Sequence, residues 1–278
     1  MLRVSAVQIK IVDGEPFHII RERGIELAKE AIKSESDLIV FPEAFIGYAT
    51  DNWEKAVEDL EGETTKNFIK LAKENGVHLI FGLLRKVSSG IANSAIVVGP
   101  DGIIGKYDKV HLCPKPKNSR INEPTMFIPG KSIGLFDTPL GKIGIMICYD
   151  GLHPELALSL TMKGSDFLVW LNNRPNLEEF EVRYQAKVNR IPIVAVNRVG
   201  TCTWGLPPET IRECFGKSII VNEKGEILSS AKGGEETIVT AELDLESGKG
   251  HRQSQDGNPI LSRRPDLYAQ VLTSIIKK

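Results

Sequence analysis

The stretch GKIGIMICYDGLHPE, residues 141–155, predicts a buried strand, a sharp turn and a helix. Residues 142–147 are mostly apolar, which is typical of a strand covered on both faces. Pro154 and Glu155 are typical of a first helical turn. Cys148 lies at the junction, where the N-terminus of a helix lowers the pKa of a thiol and prepares it as a nucleophile. A small buried cysteine that only fills the core is the alternative interpretation at this point.

The composition is that of an ordinary globular protein. The chain has 278 residues, of which 41% are hydrophobic and 26% charged, which is enough to bury a large core. Its 35 basic and 36 acidic residues are interspersed and leave a net charge of −1, so we predict neither nucleic acid nor anionic lipid as a partner. No apolar run approaches the roughly 20 residues that cross a bilayer. The first residues lack the features of a signal peptide. We therefore expect a cytoplasmic protein with no membrane partner.

The four cysteines do not indicate a disulfide framework or a metal site. They lie at positions 113, 148, 202 and 214, too scattered for a set of cross-links. No CxxC or paired Cys/His spacing suggests zinc. We expect no metal and no cofactor.

The first half of the chain predicts alternating strands and helices, followed by an antiparallel meander. The predicted elements are a strand at 2–8, a helix at 16–32, a strand at 38–41, a helix capped by Thr64 or Thr65 that ends at 74, and strands at 77–87, 91–98 and 102–107. Apolar residues at helical spacing mark the helices, and short apolar runs mark the strands. The turn signals SSG and GPDG separate the last three strands.

Two segments of this half are candidates for a functional site. Glu43 directly follows the 38–41 strand, at the end where open α/β sheets collect ligand-binding groups, although a glutamate there is also an ordinary loop residue. Residues 111–130 contain four prolines and no clear periodicity, which predicts a long ordered loop. Loops of that length in compact domains are usually functional, so this one is a candidate wall of the site.

The second half repeats the alternation. It predicts a helix at 154–163, a strand at 166–171, a helix at 177–190, a strand at 193–199, an irregular segment at 200–215, hairpin strands within 215–228 and 236–244, and a helix at 266–276. Phe180, Tyr184 and Val188 form one stripe of the 177–190 helix, and Lys224-Gly225 predicts a turn. We expect one domain, residues 1–278, with two packed sheets and helices outside both.

Three blocks of this sequence, in order, resemble the signature segments of the nitrilase superfamily, the carbon–nitrogen hydrolases. They are FPEAFIGY at 41–48, GKYDKVHL at 105–112 and GIMICYDGLHPE at 144–155, with supporting matches in EPTMFIPG at 123–130, FGKSIIVNEKGEIL at 215–228 and RRPDLY at 263–268. The resemblance covers nearly the whole chain. It implies an α/β protein with a four-layer α-β-β-α sandwich, and a homodimer or a higher homo-oligomer.

The resemblance also assigns roles to individual residues. Cys148 would attack the substrate carbon to form a thioester, or a thioimidate from a nitrile. Glu43 would take the thiol proton and return it to the leaving group. Lys109 and the backbone N–H of Tyr149 would stabilise the oxyanion. Glu123 matches the second glutamate of the family and would position Lys109 or the attacking water.

Further residues lie on segments that wall the substrate pocket in this family. They are Tyr48, Asn172, Asn173, Arg174 and Trp204, and they are predicted to bind substrate together with Tyr149. His153 stands where relatives often carry an aromatic residue, so the shape of the pocket could differ in this chain.

Several functions were weighed. A papain-like hydrolase needs a histidine beside Cys148, and none of the five histidines comes with a local protease signature. A catalytically silent binding or scaffold protein is possible on the same fold, but the intact Glu43, Lys109 and Cys148 argue against it. We expect an amidase acting on a small amide. A nitrilase and an N-carbamoyl-amine amidohydrolase remain alternatives, because they use the same three residues.

Overall fold

The computed structural model describes residues 1–47, 53–114, 122–202 and 212–276. Its strands are β1 Leu2–Gln8, β2 Lys10–Ile11, β3 Leu38–Val40, β4 His78–Val87, β5 Gly90–Gly99, β6 Gly102–Asp108, β7 Gly134–Thr138, β8 Gly141–Ile147, β9 Phe167–Leu171, β10 Ile193–Val196, β11 Val199–Cys202, β12 Arg212–Phe215, β13 Ile219–Val221, β14 Ile227–Ser230 and β15 Thr237–Leu243. The helices are α1 Phe17–Lys33, α2 Glu63–Asn75, α3 Glu123–Met126, α4 Pro154–Met162, α5 Glu179–Asn189, α6 Leu245–Gln253 and α7 Pro265–Ile276.

Two six-stranded sheets form the two central layers. The first has the order β15-β1-β3-β4-β5-β6, with β1, β3 and β4 parallel. The second has the order β14-β13-β10-β9-β8-β7, with β8, β9 and β10 parallel. Parallel strands need crossover connections, and helices supply them on the outer face of each sheet. This four-layer arrangement confirms the predicted α-β-β-α sandwich.

Three apolar clusters hold the layers together. Between the sheets, residues such as Val4 and Ala6 of β1 pack with Ile145 of β8 and Val169 of β9, all fully buried. Outside the first sheet, α1 and α2 pack on Val7 and on a group of stacked phenylalanines. Outside the second sheet, α4 and α5 pack on the fully buried Trp170. Along β1, Val4 and Ala6 therefore face the other sheet and Val7 faces the helices.

The start of α2 differs from the prediction. The helix begins at Glu63, so Thr64 and Thr65 lie inside it and are buried. The carboxylate of Glu58 accepts hydrogen bonds from the Thr64 backbone N–H (2.9 Å) and hydroxyl (2.6 Å). A glutamate from the preceding segment thus satisfies the free amide at this helix end, which is the task that the threonines were expected to perform. The helix ends at Asn75, one residue beyond the predicted end at 74, and Gly76 caps it with a left-handed φ of 70°.

The aromatic stripe of α5 faces away from the core. Phe180 and Tyr184 are 68% and 62% exposed, whereas the inward side carries Val182, Ala186 and polar Gln185. Helical spacing groups these residues on one stripe, but it does not say which side of the helix is buried.

The C-terminal half contains two further corrections. The predicted hairpin at Lys224-Gly225 is confirmed for β13 and β14, but β15 crosses to the other sheet and pairs antiparallel with β1. The segment 200–215, predicted to be irregular, contributes β11 and β12 to a small third sheet of order β12-β11-β2. The 111–130 loop contains the short helix α3. Among the described helices, none is both long and apolar enough to cross a membrane.

Candidate active site

Glu43 lies at the carboxyl end of β3, just after Pro42 ends the strand. It is fully buried, and its backbone N–H donates to the Asn172 carbonyl at the end of β9 (3.3 Å). The carboxyl ends of the parallel strands of the two sheets therefore meet here. The turn passes so close to β4 that a Cβ on Gly82 would lie 2.1 Å from the Ala44 nitrogen. Glycine at position 82 is thus required for Glu43 to reach this place.

The two oxygens of the Glu43 carboxylate have different surroundings. Its Oε1 accepts from Lys109 Nζ (2.9 Å) and from Asn93 Nδ2 (2.7 Å). Its Oε2 is buried and has no hydrogen-bond partner among the described residues. Burial raises the pKa of Glu43, and the Glu123 charge raises it further, while Lys109 opposes both. The result is a buried carboxylate of increased basicity with a free lone pair.

Lys109 follows β6 and is 1% exposed. Its backbone is fixed on both sides, because its N–H donates to the Asn93 carbonyl and its own carbonyl accepts from Gly130, each at 2.9 Å. Its ammonium lies 2.9 Å from Glu43 Oε1 and 3.0 Å from Glu123 Oε1. Burial alone would lower the pKa of Lys109, but the two carboxylates outweigh it and raise the pKa well above its usual range. Lys109 is therefore a permanent buried cation.

Glu123 comes from the loop that was predicted to wall the site. It opens α3, is 2% exposed, and its Oε2 accepts from the Cys113 backbone N–H at 2.6 Å. The loop therefore delivers a carboxylate to Lys109. The ammonium lies between Glu43 and Glu123, and this cluster has a net charge of −1.

Cys148 directly follows β8 in a left-handed conformation, with φ = 45°. The residue starts a 3₁₀ turn, Cys148–Leu152, and its carbonyl accepts from Trp170 Nε1 at 2.9 Å. It is partly exposed as a residue, yet protein atoms surround its sulfur on most sides. Burial raises the pKa of the Cys148 thiol, and the nearby Glu43 charge adds to this rise, while Lys109 opposes it. The prediction that a helix N-terminus lowers this pKa was wrong, because burial and the carboxylates dominate. The resting thiol is neutral.

A third buried acid, Asp150, joins the Cys148 turn to the Lys109 segment. Its Oδ2 accepts from the Ile147 backbone N–H (2.9 Å) and from the Tyr107 hydroxyl (2.8 Å). Its Oδ1 lies 3.0 Å from the His111 backbone N–H and 2.9 Å from His111 Nδ1. Burial and the Asp150 charge raise the pKa of Tyr107, so its hydroxyl remains a donor. Sequence reasoning missed this acid, although its place two residues after Cys148 was a usable signal.

His153 fills its position by stacking on another histidine. The rings of His111 and His153 are 3.8 Å apart and nearly parallel, with an interplanar angle of 9°. Tyr149 meets His153 edge-on at 5.0 Å. The imidazole thus takes the packing role of a planar ring beside the nucleophile turn.

The predicted pocket residues have different surroundings. Both polar ends of the Asn173 amide are used internally, because Nδ2 donates to the Glu43 carbonyl (3.3 Å) and Oδ1 accepts from Arg198 Nε (2.8 Å). Asn172 is also fully buried, and its Oδ1 has no partner among the described residues. Arg174 pairs with Glu181. Burial raises the pKa of the Cys148 thiol, and the Arg174 charge opposes that rise. Tyr48 and Trp204 lie outside the described residues.

Asn93 and Arg198 were not identified from the sequence. Asn93 lies beside Ser94 in a largely apolar strand and holds both the Glu43 side chain and the Lys109 backbone. Arg198 is fully buried, and besides Asn173 it donates to the carbonyls of Ile11 (3.0 Å) and Thr201 (2.9 Å). A polar residue inside an apolar strand was the available signal for Asn93. Within the described ranges, no group of three or more His, Cys, Asp or Glu side chains has a geometry that could hold a metal ion.

Known proteins match this chain over almost its whole length. A family model described as carbon-nitrogen hydrolase matches residues 3–253. A nitrilase of Pyrococcus abyssi is 33% identical over 278 residues, covering 96% of this chain and 99% of the relative. The omega-amidase NIT2 of Xenopus tropicalis is also 33% identical over 278 residues, covering 96% of each chain. A crystal structure of a carbon-nitrogen hydrolase from Helicobacter pylori G27 superposes with a TM-score of 0.86 at 28% identity, covering 98% of both chains.

Proposed function

The chain belongs to the carbon-nitrogen hydrolase family, and from this we propose that it hydrolyses a small amide through a thioester on Cys148. The observation that carries the proposal is the buried cluster of Lys109 between Glu43 and Glu123, with Nζ–Oε distances of 2.9 and 3.0 Å. The charges of all three groups shift the pKa of the Cys148 thiol. Burying three charged groups carries a large desolvation cost, and a cluster that bears this cost beside a thiol is a candidate for a functional site. Here they supply a base and a cation beside a nucleophile.

Acylation begins from the neutral thiol. The free Oε2 of Glu43 accepts the thiol proton as sulfur attacks the amide carbon, so thiolate forms only during the attack. The raised pKa of Glu43 favours this transfer, because a more basic carboxylate is closer in proton affinity to a thiol. The carbon–sulfur bond forms, and the carbonyl π pair moves to oxygen.

The negative oxygen of the tetrahedral intermediate needs donors in fixed positions. The Lys109 ammonium supplies a full charge, and the Tyr149 backbone N–H supplies a second hydrogen bond. The two carboxylates and the fixed backbone hold Lys109 in place before the reaction, so the stabilisation requires little rearrangement.

The remaining steps reuse the same groups. Glu43 returns its proton to the leaving nitrogen, the carbon–nitrogen bond breaks, and ammonia or an amine departs from the thioester. Water then attacks the thioester while Glu43 takes one of its protons, and Glu123 helps to orient Lys109 or this water. The carbon–sulfur bond breaks, and the proton returns to sulfur. The products are a carboxylic acid and ammonia or an amine.

Nitrile hydrolysis is the second candidate, because a 33% identical relative bears the name nitrilase. Attack of the thiol on a nitrile carbon gives a thioimidate in place of the tetrahedral amide adduct. The Xenopus relative is named an omega-amidase, and on that similarity we favour the amide, since Glu43, Lys109 and Cys148 would serve either reaction.

We also propose that the protein assembles as a homodimer or a higher homo-oligomer. Phe180 and Tyr184 place two aromatic rings side by side on the outer face of α5, 68% and 62% exposed. Exposed apolar patches of this kind mark interaction surfaces. Sedimentation of the wild type and of a Phe180→Ser, Tyr184→Ser variant tests this. A monomeric wild type would overturn the assembly proposal.

Ammonia release from a panel of small amides, nitriles and N-carbamoyl compounds tests the reaction. The matched control is Cys148→Ala, whose fold is checked by thermal unfolding. Ammonia from an amide, lost in the Cys148→Ala variant, supports the proposal. Turnover confined to nitriles would favour the second candidate, and amide turnover that survives in Cys148→Ala would refute the thioester route.

A further inference from the structure

Asp150 contacts both halves of the candidate active site without belonging to the cluster of Glu43, Lys109 and Glu123. The residue is fully buried. Each carboxylate oxygen faces two hydrogen-bonding groups, with donor–acceptor distances between 2.8 and 3.0 Å. An ionised carboxylate has about four acceptor positions, so this one is fully used inside the protein. It has no capacity left for substrate or for proton transfer.

On one side, Asp150 holds the turn that carries the nucleophile. Cys148 has a φ of 45°, which is unfavourable for a residue with a side chain and persists only where the surroundings enforce it. Two hydrogen bonds bracket it: the Ile147 N–H donates to Asp150, and the Cys148 carbonyl accepts from Trp170. The turn also presses against the Trp170 ring, since a Cβ on Gly151 would lie 2.0 Å from it.

On the other side, Asp150 holds the segment that carries the lysine. Tyr107 lies two residues before Lys109 and His111 two residues after it, and both donate to the same carboxylate. The His111 contact includes both the backbone N–H and Nδ1, so the main chain itself is attached. One carboxylate therefore bridges the Cys148 turn and the Lys109 segment.

We propose that Asp150 is a positioning residue that sets the Cys148 sulfur relative to the Lys109 ammonium; the proposal rests on the proposed function of these two groups. Catalysis by an oriented nucleophile and a fixed oxyanion donor depends steeply on their separation, and a displacement of about 1 Å can cost about 100-fold in rate. The bridge fixes the two reacting groups relative to each other, so its loss should lower kcat much more than it changes KM.

Asp150→Asn is the informative substitution because it preserves the size of the side chain but changes the hydrogen bonds that it can form. An amide has one acceptor oxygen and one donor nitrogen. If the oxygen stays with Ile147 and Tyr107, the nitrogen faces the His111 backbone N–H, and two donors oppose each other. If the amide is reversed, the Ile147 N–H loses its acceptor. Either orientation opens one end of the bridge.

Asp108→Asn is the matched control. Asp108 directly precedes Lys109, is partly buried, and accepts from Arg85 Nη2 (2.8 and 2.9 Å) and from the Ser94 hydroxyl (2.6 Å). None of its described hydrogen bonds reaches the Cys148 turn. It therefore tests the loss of a buried carboxylate beside Lys109 without the bridge. Tyr107→Phe removes a single bond of the bridge and serves as a milder variant if Asp150→Asn does not fold.

The experiment measures kcat, KM and the melting temperature of the wild type and of these three variants with an amide that the wild type hydrolyses. For Asp150→Asn we expect kcat to fall by about 100-fold and KM to change by less than about threefold, at a temperature where the variant is folded. Asp108→Asn should keep kcat within about threefold of the wild type, and Tyr107→Phe should lose about three- to tenfold. A wild-type kcat in Asp150→Asn would overturn the inference. If only Tyr107→Phe folds, a wild-type kcat in that variant would overturn it. A fall in kcat of Asp108→Asn as large as that of Asp150→Asn would also overturn it.

A second readout separates this inference from the proposed function. The rate at which iodoacetamide alkylates Cys148, followed by mass spectrometry, needs no knowledge of the substrate. If the wild type hydrolyses no amide in the panel, the proposed function fails, and the alkylation rate still tests the bridge. We expect the alkylation rate of Asp150→Asn to differ from that of the wild type by about tenfold, in either direction. The rate of Asp108→Asn should stay at the wild-type value. An unchanged rate in both variants would overturn the role of Asp150.

Discussion

Replacement of Lys109 by methionine should abolish turnover and destabilise the fold together. The ammonium lies 2.9 Å from Glu43 and 3.0 Å from Glu123, and none of the three side chains is more than 2% exposed. Removing one partner from a buried ion pair costs about 3–5 kcal/mol of unfolding free energy. Removing an oxyanion donor costs about 100- to 1,000-fold in kcat. Methionine is unbranched and only one atom shorter than lysine, so neither loss would come from a large cavity.

The stability of this variant should depend on pH with a definite sign. In the wild type, Lys109 opposes the rise in the pKa of Glu43 that burial causes, so the pKa of Glu43 should rise further without the cation. A folded-state pKa above the unfolded value of about 4.3 gives stability that is fully present below that value and is lost as pH rises through the folded pKa. Urea unfolding should therefore show a larger deficit for the variant, relative to the wild type, at about pH 8 than at about pH 5.

Two further variants complete this test. Lys106→Met removes a cation from β6, the strand that precedes Lys109, but Lys106 is 42% exposed and 3.9 Å from Asp108, so its cost should be within about 1 kcal/mol. Lys109→Arg keeps the charge on a larger planar group, so kcat should fall while more of the stability remains. Wild-type kcat in Lys109→Met, or a loss of unfolding free energy no greater than that of Lys106→Met, would refute the reasoning.

Three other predictions concern the acid and the thiols. Glu43→Gln keeps the shape but cannot accept a proton, so the rate of acylation should fall by about 100- to 10,000-fold, and rapid-quench kinetics should show a near-normal rate if Glu43 is not the base. Cys148→Ser should lose nearly all turnover, whereas Cys113→Ala and Cys214→Ala should keep most of it; ammonia assays on the three variants decide between these thiols. Because the pKa of Cys148 is raised, its alkylation by iodoacetamide should accelerate continuously up to about pH 9, and a plateau near neutral pH would reveal a thiolate with a lowered pKa instead.

The sequence located the strand ends that carry the chemistry. A buried strand must be an apolar run, and β3 and β8 were visible as such, so the positions of Glu43 and Cys148 at their ends followed directly. Lys109 was different, because its neighbours KYDKVH have the composition of a surface segment. Only the resemblance identified it. Its burial depends on Glu43 and Glu123, which come from distant parts of the chain.

Spacing alone did not determine which side of α5 is buried. Phe180 and Tyr184 have the more apolar side chains, yet the helix buries Gln185 and Asn189 instead. Three of their four polar atoms are hydrogen-bonded, because Asn189 Nδ2 donates to Gln185 Oε1 (3.1 Å) and Gln185 Nε2 donates to the Gly151 carbonyl (3.2 Å). Hydrogen bonds between elements make polar burial possible, and no local pattern encodes them.

Long-range pairing also lay beyond the local pattern. The strand β15 follows β14 closely, which favoured a hairpin, but it pairs with β1 at the opposite end of the chain. The contacts of Asp150 are similar in kind, since an acid in a turn is ordinary until the segments that surround it are known. Its role as a bridge became visible only when β6 and β8 were placed together.

The central claim, a thioester on Cys148, is tested most directly by mass spectrometry of the protein quenched with acid during turnover of an amide. The peptide that contains Cys148 should carry the acyl group of the substrate, and the adduct should disappear when the substrate is exhausted. An acyl group on Cys113 or on any other residue, or a burst of ammonia with Cys148 unmodified, would contradict the account.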